Sequence, residues 1–143
     1  MAKPIKKILV GVDGSEEADA AFEYASGMAE ALGANITLVV VKHLPEFVAG
    51  YMDNKMMAKM DKHYQDIAAD AKDECDLASK VCVETKIIEG HPVTAIADFA
   101  KENKFDLIVV GSRGLTGLTH WFVGSTAEGL VRAAHCPVLV VRQ

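Results

Sequence analysis

The stretch Asp106–Gly114, which reads DLIVVGSRG, contains the pattern that decides the fold of this chain. Its four consecutive apolar residues predict a strand buried on both faces, as in a parallel sheet covered by helices. Three other runs share this character. In a fifth run, Val81–Ile88, apolar and polar residues alternate, which is typical of an edge strand with one face towards water. The three runs are Ile5–Val12, Ile36–Val41 and Val138–Val141.

Apolar residues spaced by three and four predict a helix between each pair of successive strands. Gly33 is typical of a helix C-cap, Pro92 of a first turn, and Pro137 of a stop signal. The alternation of strands and helices predicts one α/β domain over residues 1–143, built from right-handed βαβ units. The irregular stretch His43–Met52 is expected to form a flexible flap. The cluster Met52, Met56, Met57 and Met60 is expected to pack in the core.

Composition argues against several classes of protein. The 143 residues carry 15 basic and 20 acidic side chains, a net charge of −5, which disfavours a nucleic-acid-binding surface. No apolar run approaches the roughly 20 residues of a membrane helix, and no secretory signal opens the chain. We therefore expect a cytoplasmic protein without a membrane partner. Three cysteines without zinc-site spacing (Cys75, Cys82 and Cys136) predict reduced thiols and no metal site.

Two predicted strands are followed directly by polar residues and glycines that could contact a ligand. In open parallel sheets, ligands bind beyond the carboxyl ends of the strands. The first strand ends at Val12 and continues with Asp13, Gly14 and Ser15. Ser15 is expected to cap the next helix, and acidic residues at 16 and 17 favour the positive end of its dipole.

The fourth strand runs into a glycine-rich loop. Gly111 and Gly114 would let an anion approach the backbone, and the amides of Gly124, Ser125 and Thr126 would meet it at a helix N-terminus. Ser125 and the glutamate at 128 also form an S-x-x-E pattern, which predicts a capping box. The loop is neither a Walker A motif nor a dinucleotide fingerprint.

The glycine spacing fits a known pattern. Gly111, Gly114, Gly124 and Ser125 match G-x₂-G-x₉-G-[S/T], the nucleotide loop of the universal stress protein family, which the chain resembles along its whole length. The resemblance also rests on three other stretches: Ile8–Ser15, Gly90–Pro92 and Ala134–Val141. The intact loop resembles the ATP-binding branch of that family.

This resemblance implies a three-layer αβα, Rossmann-like fold with strand order 3-2-1-4-5. It implies that ATP, with Mg²⁺ or Mn²⁺ possible, binds with Asp13 near the ribose and adenine and the Val41 backbone at the adenine. Gly111 and Gly114 would lie along the ribose and phosphates, and Arg113 could add a charge-assisted contact. The full set of expected contacts is Val12, Asp13, Gly14, Ser15, Val41, Gly111, Ser112, Arg113, Gly114, Gly124, Ser125 and Thr126.

Three functional hypotheses remain open. The favoured one is a nucleotide-dependent stress-response switch without catalytic residues. The second is a slow ATPase or autophosphorylating enzyme, which would use His120 or the hydroxyls beside the phosphates. The third is a dimeric interaction protein that pairs through its uncharged last strand (Val138, Leu139, Val140, Val141). Trp121 and Phe122 are expected to serve packing or an interface.

Overall fold

Five parallel strands form one sheet in the order β3-β2-β1-β4-β5. The computed structural model describes residues 3–113 and 124–142. The strands are β1 (Lys7–Gly11), β2 (Asn35–Lys42), β3 (Cys82–Glu89), β4 (Leu107–Gly111) and β5 (Val138–Val141). The helices are α1 (Glu16–Leu32), α2 (Glu46–Ala49), α3 (Asn54–Leu77), α4 (Pro92–Glu102) and α5 (Ser125–Ala133). The predicted α/β fold and its strand order are confirmed.

Helices cover both faces of the sheet, which is why its central strands are almost entirely apolar. Ile8 and Val10 point into a layer shared with α1 and α3. Leu9, between them, points into the opposite layer with α4 and α5. The core thus lies in two layers, and the carboxyl ends of the strands meet at one edge.

The predicted helix signals at Ser15, Gly33 and Pro92 are confirmed. The Ser15 side chain caps α1, Gly33 ends it in the left-handed conformation (φ 67°), and Pro92 is the first residue of α4. The alternating run is also confirmed as an edge strand, β3, and its pairing with β2 shifts register between Ile36 and Thr37.

The segment 43–52 is not wholly irregular, because it contains the short helix α2. The prediction that its neighbouring methionines fill the core is wrong, since none is buried and Met56 is 48% exposed. The cause is length. At 24 residues, α3 is about 36 Å long, whereas the eight residues of β2 span about 26 Å, so the first turns of the helix extend past the sheet.

The prediction of reduced thiols is wrong for two of the three cysteines. Cys75 and Cys82 form a disulfide with their Cα atoms 5.2 Å apart, while Cys136 is free. Residue spacing did not reveal this pair, because the turn after α3 brings the end of a helix back against the start of β3. Within residues 3–113 and 124–142, no helix is long and apolar enough to cross a membrane.

Candidate functional site

The two strand ends singled out in the sequence are neighbours. β1 pairs with β4 in register Val10↔Val109, so the turns that follow them leave the same edge of the sheet side by side. This is the point where strand order reverses, and such points form the ligand crevice of open α/β sheets.

The turn after β1 is closed by its own side chains. Asp13 Oδ1 accepts hydrogen bonds from the Ser15 N–H (3.0 Å) and from Ser15 Oγ (2.5 Å). Ser15 Oγ in turn accepts from the Ala18 N–H at 3.1 Å, which caps α1. Both described hydrogen bonds of Asp13 fall on one oxygen, so Oδ2 remains for another donor.

Gly14 gives this turn its shape. Its φ of +85° is a left-handed conformation that favours glycine. A Cβ there would also lie 3.3 Å from Cγ1 of Ile67 on α3. The first turn of the site is therefore packed directly against α3, a contact that the sequence pattern did not reveal.

The N-terminus of α5 is built differently. Its N-cap is Gly124, which makes no side-chain capping hydrogen bond, and Ser125 is already the first helical residue. The predicted capping box is therefore wrong, because Ser125 stands one position too late to cap. Glu128 instead pairs with Arg132 at 3.3 Å on the exposed face. Among residues 3–113 and 124–142, no side chain caps the first-turn amides of α5, which have no partner within the helix.

The end of β4 and the start of α5 are held together through Ser112. The buried Ser112 donates its N–H to the Val141 carbonyl (2.9 Å) and accepts from the Gly124 N–H (2.5 Å). A Cβ on Gly124 would lie 3.0 Å from the Ser112 oxygen. The start of α5 is thereby held at the end of β4, the strand that pairs with β1.

Gly111 has a structural reason to be glycine. A Cβ there would come within 2.8 Å of the backbone carbon and oxygen of Glu17, in the first turn of α1. The missing side chain lets α1 lie across the end of β4. Gly111 therefore serves helix–strand packing, whatever contact it makes with a ligand.

Arg113 is held by an acidic partner that the sequence analysis assigned only to the helix dipole. Its Nη2 lies 2.8 Å from Glu17 Oε1, and the two side chains are 18% and 11% exposed. Glu17 Oε2 is buried without a hydrogen-bond partner among the described residues. Glu17 thus offsets much of the charge that Arg113 would bring to an anion.

The end of β2 offers backbone groups towards the site. The last hydrogen bond between the β1 and β2 segments in the described chain runs from the Val12 N–H to the Val39 carbonyl at 2.9 Å. In a parallel strand, every second residue directs its N–H and C=O to the same neighbouring strand. The backbone groups of Val41 therefore face the β1 side, like those of Val39, but lie beyond the last residue of β1 that pairs with β2. Lys42, with the opposite orientation, bonds Gly90 beyond β3.

Side chains from α3 fix this strand end. Asp61 pairs with Lys42 and raises the pKa of that lysine through their hydrogen bond. The Tyr64 hydroxyl accepts from the His43 N–H (3.3 Å) and donates to its carbonyl (3.2 Å). His43 also meets the His91 ring edge-on at 5.4 Å. Sequence periodicity gave no signal for these contacts, since they join elements distant in the chain.

Several predicted residues lie outside the described part of the chain: Gly114, the span 115–123, and with it His120, Trp121 and Phe122. In the part that is described, no group of three His, Cys, Asp or Glu side chains is arranged to hold a metal ion.

The sheet, its strand order and its covering helices define a Rossmann-like α/β protein in which the turns after β1 and β4 lie side by side. A sequence model of the universal stress protein family matches residues 4–142, and the chain belongs to that family.

Known relatives agree with this assignment. A universal stress protein of Methanocaldococcus jannaschii is 32% identical over 140 residues, covering 96% of this chain and 82% of the relative. The structure of UspA from Lactobacillus plantarum superposes with a TM-score of 0.80 at 30% identity, over 99% of this chain and all of that one. A universal stress protein solved in complex with cAMP superposes with a TM-score of 0.72 at 25% identity, over 97% and 98% of the two chains.

Proposed function

We propose that this chain binds ATP in the crevice between the β1 and β4 turns and acts as a nucleotide-dependent regulator of a stress response. The observation that carries the proposal is the N-terminus of α5, which no side chain in the described part of the chain caps and which follows β4 at the switch point of the sheet. A helix start of this kind attracts phosphate through its free amides and its dipole. The cAMP complex of a family relative supports an adenine nucleotide as the ligand.

The proposed contacts follow the parts of such a nucleotide in order. Backbone groups of Val41 face past the end of β1, where they could pair with the edge of an adenine. Asp13 Oδ2 could accept from a ribose hydroxyl while Oδ1 stays bonded to Ser15. The hydroxyls of Ser125 and Thr126 and the amides beside them would meet the phosphates. A divalent ion would be held by phosphate and water oxygens, as is usual for Mg²⁺.

The first experiment identifies the ligand. Mass spectrometry of the small molecules released from the purified protein, followed by calorimetric titration with ATP, AMP, cAMP and adenosine, is expected to give ATP as the tightest. Gly114→Val, in the glycine motif, is expected to abolish binding. Absence of nucleotide in the preparation together with no heat of binding for any of the four would refute the proposal.

A second experiment isolates the phosphate contact. The double substitution Ser125→Ala with Thr126→Ala is expected to weaken ATP about tenfold, at about 0.5–1.5 kcal/mol for each lost hydrogen bond. Adenosine affinity should stay unchanged. Ser79→Ala, on the exposed turn between α3 and β3, is the matched control. Equal losses for ATP and adenosine would show that the hydroxyls do not touch phosphate.

A regulator differs from an enzyme in turnover. Asp13, the carboxylate of the β1 turn, is bound to Ser15 and is expected at the sugar end, so we assign no general base. The purified protein should release phosphate from ATP at no more than the buffer rate. A clear rate that Gly114→Val removes would favour the slow ATPase instead.

We also propose a homodimer formed through β5. In the described part of the chain, no further strand pairs with β3 or β5 at the two edges of the sheet. β3 carries charged residues and a register shift, which discourage pairing with another chain, whereas β5 is four uncharged, half-buried residues. Val138 and Val140 point their backbone groups away from β4, because the Pro137 and Val141 carbonyls accept from it. Val140→Pro removes an outward N–H and leaves the β4 ladder intact.

The expected solution mass is that of a dimer for the natural chain and of a monomer for Val140→Pro. A natural chain that is monomeric at micromolar concentration would overturn the dimer and leave the nucleotide proposal standing.

A further inference from the structure

The disulfide ties the end of α3 to the first residue of β3. Cys75 and Cys82 are 4% and 5% exposed and belong to the apolar layer between the sheet and the α1–α3 face. Of the residues of α3, only Ala71 and Cys75 are buried. The bond therefore involves one of the two positions at which this 24-residue helix is fully anchored.

The same helix supports two parts of the proposed nucleotide site, the β1 turn and the end of β2. Ile67 fills the space next to Gly14 in the β1 turn. Tyr64 and Asp61 hold the end of β2 through the His43 backbone and Lys42. These contacts come from half-exposed turns of α3, so their geometry depends on how firmly the buried end of the helix is held.

We propose that Cys75 and Cys82 are a reversible dithiol–disulfide pair, and that its oxidised form holds α3 where the nucleotide site needs it. The coupling to nucleotide rests on the proposed function, whereas the redox chemistry does not. Oxidation removes one proton and one electron from each thiol as the Sγ–Sγ bond forms. An oxidant of the disulfide class, such as oxidised glutathione, takes up the two protons and two electrons as its own S–S bond breaks into two thiols. A dithiol reductant reverses the step.

Access to the bond comes through the turn that covers it. Leu77 is 90% exposed, and Ser79 and Lys80 are exposed as well. Local opening of such a turn costs far less than global unfolding. The free thiol, Cys136, packs in the layer on the opposite face of the sheet, which makes it an internal control.

The test follows the full chain across a series of reduced to oxidised glutathione, with alkylation and mass spectrometry reporting the thiols. We expect one alkylated cysteine in the oxidised protein and three in the reduced protein. Reduction should speed hydrogen exchange in peptides from residues 54–70. It should also weaken ATP about fivefold, at the low end of coupling between two sites.

Matched variants separate the possible outcomes. The double substitution Cys75→Ala with Cys82→Ala should remove the response to reductant, and Cys136→Ala should keep it. Three alkylated cysteines throughout the series would overturn the redox pair, and unchanged exchange in α3 after full reduction would overturn the coupling. If neither form binds ATP, the proposed function fails, while alkylation still decides the redox pair and hydrogen exchange still decides whether the bond holds α3. If the double variant does not fold, the glutathione series on the natural chain carries the test.

Discussion

The two helices that follow the β1 and β4 turns, α1 and α5, differ in how their N-termini are capped. α1 is closed by its own sequence, since Ser15 caps it and three acidic residues occupy its first turn. α5 begins at Ser125 after the N-cap Gly124, and no side chain among the described residues caps it. The one acidic residue of its first turn, Glu128, is paired with Arg132 on the exposed face. Both helix dipoles attract negative charge at this edge. In α1 the protein's own side chains supply the negative partners, whereas at α5 we propose that a ligand supplies them.

This difference shows why a capping motif read from sequence can mislead. S-x-x-E at residues 125–128 has the right letters, but the helix starts one residue too early for it, at Ser125, and Gly124 is the N-cap. Glycine serves there because a Cβ would lie 3.0 Å from the Ser112 oxygen. Tertiary closure of the loop, which sequence spacing does not report, decides which residue becomes the cap.

The largest expected effect comes from Gly111→Ala, which would displace α1 from the end of β4. The new Cβ would lie 2.8 Å from backbone atoms of Glu17, which cannot yield as a flexible side chain does. Overpacking of this kind costs about 1–3 kcal/mol. We expect a loss near the upper value in urea unfolding, together with weaker ATP binding as α1 shifts.

Gly27→Ala is its control. At this helical glycine of α1, nothing lies within 4 Å of the position that a Cβ would occupy, so alanine should raise stability by about 0.5–1 kcal/mol. A Gly111→Ala protein as stable as the natural chain would show that α1 and β4 do not pack as described.

An intermediate effect distinguishes a structural cap from a ligand-binding end. Ser15→Ala removes the hydrogen bond to the Ala18 amide and should cost about 1 kcal/mol of unfolding free energy. Replacing Ser125 and Thr126 by alanine should leave stability nearly unchanged, because neither hydroxyl caps α5, and should weaken ATP instead. Urea unfolding and calorimetric titration of both variants measure this contrast. Loss of stability in the second variant would mean that α5 is capped after all.

The fold was largely predictable, and the site only in part. Continuous apolar runs and helix signals are local, so the parallel sheet, the Ser15 cap and the Gly33 end could be predicted from the residues themselves. The strand order and the juxtaposition of the β1 and β4 turns came from the family resemblance. The Glu17–Arg113 pair and the Cys75–Cys82 bond could not be predicted, since each depends on how elements return to one another in space.

The smallest expected effects are opposite changes in stability and in ATP affinity on substitution of Glu128. Glu128→Gln removes the exposed carboxylate from the first turn of α5, where a negative charge favours the helix but repels a bound phosphate. Charges at helix ends contribute about 0.3–1 kcal/mol at low ionic strength. Stability should therefore fall slightly while ATP affinity rises about twofold, and added salt should reduce both changes.

Glu102→Gln, at the far end of α4, is the matched charge control and should leave ATP affinity unchanged. A Glu128→Gln protein with weaker ATP binding would mean that this carboxylate assists the nucleotide, and the openness of α5 would then have to be explained without phosphate.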